Sequence, residues 1–112
     1  MVGNSELSYK PLAESFEGRS SQRGWVFTLM EREDRVCLYE KVSGEGIRYW
    51  EVIVLHLDKG GDRVIWGKVV HFEAKERYPS DEEFGQSAWS YGRYEDALKK
   101  YEGMVGRSRA AQ

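Results

Sequence analysis

Between residues 25 and 72 the chain passes four times through β-forming residues and turns within a few polar positions after each of the first three. The runs are 25–30, 36–42, 47–57 and 64–72, rich in Val, Ile, Tyr, Trp and Phe. The turns are the charged stretch 31–35, the Gly-containing loop 43–46 and Lys59-Gly60-Gly61-Asp62. Links this short cannot carry the crossover that parallel strands need, so an antiparallel meander is predicted.

The rhythm then changes. Tyr94, Ala97, Leu98 and Tyr101 recur at i, i+3, i+4 and i+7, which makes one apolar stripe on a helix. Glu95 and Asp96 fall in its first turn and Lys99 and Lys100 nearer its end, in the sense the helix dipole favours. Gly103 and Gly106 are its expected stops, giving a helix over 93–103. Ser80 with Glu83 three residues on reads as a capping box for a brief helical turn, and 88–91 reads as an extended segment able to join a sheet edge. The expected fold class is α+β: an antiparallel four- to five-stranded meander sheet packed on one C-terminal helix, in ββββα order. One domain over 23–105 is expected, with a flexible tail over 1–22 and a frayed terminus over 106–112.

Symmetric turns would set Phe27 opposite Tyr39 and Tyr39 opposite Trp50. Trp25, Leu29, Cys37, Val52 and Val54 share that side, which is expected to form the core under the helix. The other side carries Val36, Leu38, Ile53 and Leu55, but also Glu40 and Glu51 in mid-sheet. A carboxylate is costly to bury unpaired. That side is therefore expected to stay partly open, and Val36, Leu38, Ile53 and Leu55 become a candidate homodimer face.

Composition narrows the function classes. The net charge is −2, with both signs intermixed, so the basic footprint of a duplex DNA binder is missing. No apolar run has the length of a membrane span, and no apolar leader segment opens the chain, so a cytoplasmic protein without membrane contact is expected. Cys37 is the single cysteine, which rules out an intrachain disulfide. In the expected hairpin His56 lies opposite residue 64 or 65 and His71 opposite 49 or 50, too far apart to share a metal. No phosphate-binding Gly-rich loop occurs, and no pair of carboxylates is fixed as an acid/base couple. No metal, no cofactor and no catalysis are expected.

The long connector 74–91 supplies the leading candidate surface, since connectors of that length are often functional. Tyr78, Phe84 and Trp89, rimmed by Asp81, Glu82 and Glu83, would contact a protein partner. Tyr78-Pro79-Ser80-Asp81-Glu82-Glu83-Phe84-Gly85 with Ala88-Trp89-Ser90-Tyr91 resembles a feature of short phage and mobile-element proteins of unknown function, which implies an accessory origin but no activity. Tyr49-Trp50-Glu51-Val52, Trp66-Gly67-Lys68-Val69 and the segment 94–101 are similar to parts of the WGR module, with Lys68 in place of its Arg. That likeness implies contact with nucleic acid. The strands-then-helix order also resembles PUR-type and whirly-type single-strand binders, in which bases stack on exposed rings. The leading expectation is a small intracellular binding or regulatory module acting by protein–protein contact. The alternatives are a single-stranded nucleic-acid binder using Arg48, Tyr49, Arg63, Trp66 and Lys68, and an inhibitor mimicking nucleic acid through Glu73, Glu76, Asp81, Glu82 and Glu83.

Overall fold

The computed structural model describes the backbone of residues 9–110 and the side chains of residues 9–106. In chain order its elements are β1 (Ser15–Glu17), β2 (Trp25–Glu33), β3 (Val36–Ser43), β4 (Arg48–Val54), β5 (His56–Asp58), β6 (Gly61–Ile65), β7 (Lys68–Phe72), β8 (Lys75–Arg77), β9 (Ala88–Tyr91) and α1 (Tyr94–Ala110). Single 3-10 turns occur at Ser20–Gln22 and Asp81–Glu83. The chain divides into two compact units: one built from Ala13–Leu55 and the described residues after Tyr78, the other from His56–Tyr78 with the described residues before Ala13.

The first unit has the expected α+β architecture, a five-stranded antiparallel sheet in the order β1-β2-β3-β4-β9 with α1 packed on one face. One of its strands was not expected. Residues 15–17, read as tail, pair with Thr28 to Val26 of β2 and add the outer strand; of the rest of that tail, residues 1–8 lie outside the described residues. The other edge is β9, which pairs with β4 as anticipated for 88–91. The helix runs through Gly103 and Gly106 to Ala110, where fraying was expected. Tyr101 and Val105 are both buried, so the apolar stripe continues past the first glycine, and tertiary packing outweighs the roughly 1 kcal/mol that each glycine costs a helix.

Cross-strand register decides which residues make the core. β3 and β4 pair as Leu38↔Val52, Tyr39↔Glu51 and Glu40↔Trp50, one residue away from the symmetric reading. A one-residue slip moves a strand's whole side-chain set to the opposite face. Val36 and Leu38 therefore join Val52 and Trp50 beneath α1, where Ala97, Tyr101 and Val105 close over them. Phe27, Cys37, Tyr39 and Ile53 lie on the other face and are buried as well. In β2 a bulge between Leu29 and Glu31 shifts the pairing again and leaves Met30 exposed. Val36, Leu38, Ile53 and Leu55 are thus all buried within one chain, and the homodimer face assigned to them does not exist.

The second unit holds the larger departure. The run 47–57 ends its pairing with β3 at Val54 and resumes as β5, which pairs with β8. The run 64–72 is no fourth strand of the main sheet. It breaks at Trp66-Gly67 into the second half of a hairpin, β6 with β7. The β propensity of Trp66 hides that turn, and Gly67 was its one local signal. His56 consequently pairs with Arg77 and His71 with Asp62, not with the positions expected. Within this unit Lys10 bridges to Lys75, and the Glu76 carboxylate accepts the Leu12 amide at 3.0 Å.

Candidate interaction surface

Three local arrangements stand out, and only one presents apolar surface to solvent. The first lies on the sheet face away from α1. Lys41 and Glu51 form an ion pair there at 2.9 Å, with residue exposures of 9% and 2%. The ammonium also donates to Gln22 Oε1 at 2.9 Å and lies 4.8 Å above the Trp25 ring. Phe16 stacks on Phe27 at 4.9 Å, and Tyr39 donates its hydroxyl to the Ala13 carbonyl at 3.0 Å. The mid-sheet carboxylate that argued for an open face is therefore neutralised by a lysine two residues along the neighbouring strand. Alternation places Lys41 and Glu51 on one side, so this pair was within reach of the sequence once the register was right.

The second is the connector. Its residues are divided between the two units, and several of them have partners close by. Asp81 accepts from Ser21 Oγ at 2.6 Å, and Glu83 from Ser87 Oγ at 3.3 Å. Trp89 is half-buried on the α1 side of the sheet, with Lys100 Nζ 4.1 Å above its ring. Phe84 is half-buried beside its bridge to Ala88, and Tyr78 belongs to the other unit. Glu82 remains exposed. The carboxylates of the inhibitor reading are partly committed too: Glu73 lies 4.0 Å from Lys10, and Glu76 holds the Leu12 amide. An open groove of about 540 Å³ runs between the end of β2 and α1, with Glu31, Glu33, Tyr101, Glu102 and Val105 in its walls. Arg32 lines it beside the three glutamates, and it is open and polar, unlike the enclosed apolar pockets that take small ligands.

The third is the β6–β7 hairpin. Its base is fastened. The Gly60 amide donates to Asp58 Oδ1 at 3.0 Å, and this bond holds the Asp58 carboxyl below its ordinary 3.8. Desolvation opposes the shift, while the nearby charges of Arg63, Lys75 and Arg77 reinforce it. Arg63 sits 3.5 Å from the same carboxylate and lies 4.6 Å over the Phe72 ring. Gly60, at φ +69°, passes so close to the Phe72 carbonyl that a β-carbon would meet it. Asp62 and His71, directly opposite each other, are joined at 2.8 Å.

The hairpin's tip is bare. Trp66 is 96% exposed, Val64 72% and Val69 71%, with Ile65 and Val70 about half that. Trp66 and Gly67 form a two-residue turn in which both φ angles are positive, +54° and +76°. Such turns match the strand twist and favour Asn-Gly. A tryptophan in this left-handed position is strained, and it buries almost nothing in return. Of the nucleic-acid set, Trp66, Arg63 and Lys68 do share this hairpin, but Arg63 is held by Asp58 and Phe72. Arg48 and Tyr49 belong to the other unit, where Arg48 lies 3.6 Å from Glu40 and Tyr49 tilts against Trp25. Among the described residues no group of His, Cys, Asp and Glu could hold a metal ion, and no helix is long and apolar enough to cross a membrane. No family model, curated protein or solved structure matches this chain.

Proposed function

We propose that this protein is a non-catalytic binding module that acts by protein–protein contact, and that its contact element is the β6–β7 hairpin. One observation carries the reading. A tryptophan occupies a strained left-handed turn position at 96% exposure, flanked by two valines more than 70% exposed. Neither the strain nor the exposure contributes to folding. Outliers of this kind concentrate at functional positions, and buried tryptophan is a common anchor of protein interfaces. The fastened base supports the same reading, because a pre-ordered hairpin loses little freedom when its tip is bound.

The test is affinity capture from nuclease-treated extract with immobilised wild type and Trp66→Ala. The wild type is expected to retain specific polypeptides that the variant loses. Identical retained sets would remove the hairpin as the contact element. The single-strand reading is checked in parallel by anisotropy of labelled oligonucleotides. Micromolar affinity that falls steeply with salt and is lost in Lys68→Ala would replace protein contact with nucleic-acid contact.

A further inference from the structure

We propose that the open face of the β6–β7 hairpin pairs with the same face of a second copy of this chain, an inference that rests on the hairpin being the contact element. Register divides the hairpin into two faces. Arg63, Ile65, Lys68, Val70 and Phe72 share one, and it is partly covered: Ile65 and Val70 are under 40% exposed and Arg63 lies over Phe72. Asp62, Val64, Val69 and His71 share the other, where both valines are more than 70% exposed. An isolated two-stranded ribbon is marginal in water. Sheets bury such residues by packing face to face at about 10 Å.

The open face is complementary to itself. From base to tip it presents the Asp62–His71 pair and then, two residues on, the Val64–Val69 pair, and it ends at the Trp66-Gly67 turn. A two-fold axis in the contact plane, crossing the strands at the valines, reverses this order in the second copy. Valines then lie on valines. The charged pair and the turn sit about 7 Å to either side of the axis, so each Trp66 covers the Asp62–His71 pair of the other copy. Charge permits the approach, since Asp62 and His71 satisfy each other at 2.8 Å and Lys68 stands on the opposite face. A face that carries a carboxylate and no free cation suits neither phosphate backbones nor anionic lipid. Two such faces, each with a tryptophan, bury on the order of 600–1,000 Å² in total, the range of weak reversible contacts. The assembly is closed, because an isologous contact consumes the face on both copies.

Sedimentation equilibrium of the full chain between about 10 μM and 1 mM, the range of weak association constants, tests this. The wild-type mass is expected to rise towards twice that of the monomer. Val64→Asp combined with Val69→Asp should stay monomeric throughout, and Lys68→Ala, on the other face, should behave as wild type. Both valines are exposed, so the double variant leaves the core intact. A wild type that stays monomeric at the highest concentration, or a double variant that associates like wild type, overturns the proposal. A monomeric wild type whose Trp66 still governs capture of other polypeptides overturns self-pairing alone. Capture indifferent to Trp66 overturns the hairpin reading itself.

Discussion

The main sheet buries a lysine and the hairpin exposes a tryptophan. Lys41 is 9% exposed and Trp66 is 96% exposed, the reverse of what either residue type prefers. Around Lys41 every cost of burial has a counterpart: a carboxylate at 2.9 Å, a side-chain amide at 2.9 Å and an indole face at 4.8 Å. Around Trp66 neither the exposed ring nor the left-handed backbone has one. The difference separates a polar cluster that belongs to folding from an apolar tip that does not. Substitutions in the two places should therefore move stability and binding in opposite ways.

The largest effect is expected at the buried pair. Lys41→Met removes the ion-pair partner of Glu51 in a site closed to water, and breaking a buried pair from one side costs about 3–5 kcal/mol. Urea denaturation should show that loss. Adding Glu51→Leu should recover most of it, because an apolar pair of similar volume does without the charges. If Lys41→Met costs less than about 1 kcal/mol, the pair is more hydrated than its burial implies, and the contrast with the hairpin weakens.

A smaller and more local effect is expected at the hairpin's base. Gly60→Ala would bring a β-carbon within 2.4 Å of the Phe72 carbonyl oxygen at a backbone φ of +69°. A loss of roughly 2 kcal/mol is expected, confined to the unit that holds the hairpin. Amide exchange should quicken in β6 and β7 while the five-stranded sheet keeps its protection. Uniform loss across both units would mean that they unfold together.

At the tip the sign reverses. Trp66→Asn places a residue suited to the left-handed turn where a strained one stands, and should stabilise the hairpin by about 1 kcal/mol. The same variant should lose binding. Stability gained with binding kept would show that the indole is incidental. Stability lost would show that it packs against something in the free chain.

Much of the architecture was legible in the residues themselves. The period of Tyr94, Ala97, Leu98 and Tyr101 marked the helix, and the alternating runs marked β2, β3 and β4. The faces were not legible, because they depend on a one-residue register between β3 and β4 and on a bulge near Met30 that no local signal announces. The hairpin failed for another reason. Val64 to Phe72 is uniformly β-forming, and only Gly67 marks the reversal within it. Once that run was taken as a core strand, Trp66 read as one ring among many rather than as the least covered side chain at an exposed tip. Lys41 went unnoticed because a lysine in a strand is ordinarily a solvated one.

The smallest effect expected is also the one that separates the two kinds of polar contact. Asp58 at the hairpin's base is half-buried, in contrast to the fully buried Glu51, and its carboxyl is held below the ordinary 3.8, chiefly by the Gly60 amide. A group whose folded value is depressed favours the folded state above its ordinary value and loses that contribution as pH falls through the folded one. The hairpin should therefore loosen below about pH 4, the ordinary aspartate range, and Asp58→Asn should flatten that part of its acid profile. High salt should erase the share due to Arg63, Lys75 and Arg77 and leave the share due to the amide. The profile is best followed through amides of β6 and β7. An acid response there that survives Asp58→Asn unchanged would show that the contact between Asp58 and the Gly60 amide does not govern the base.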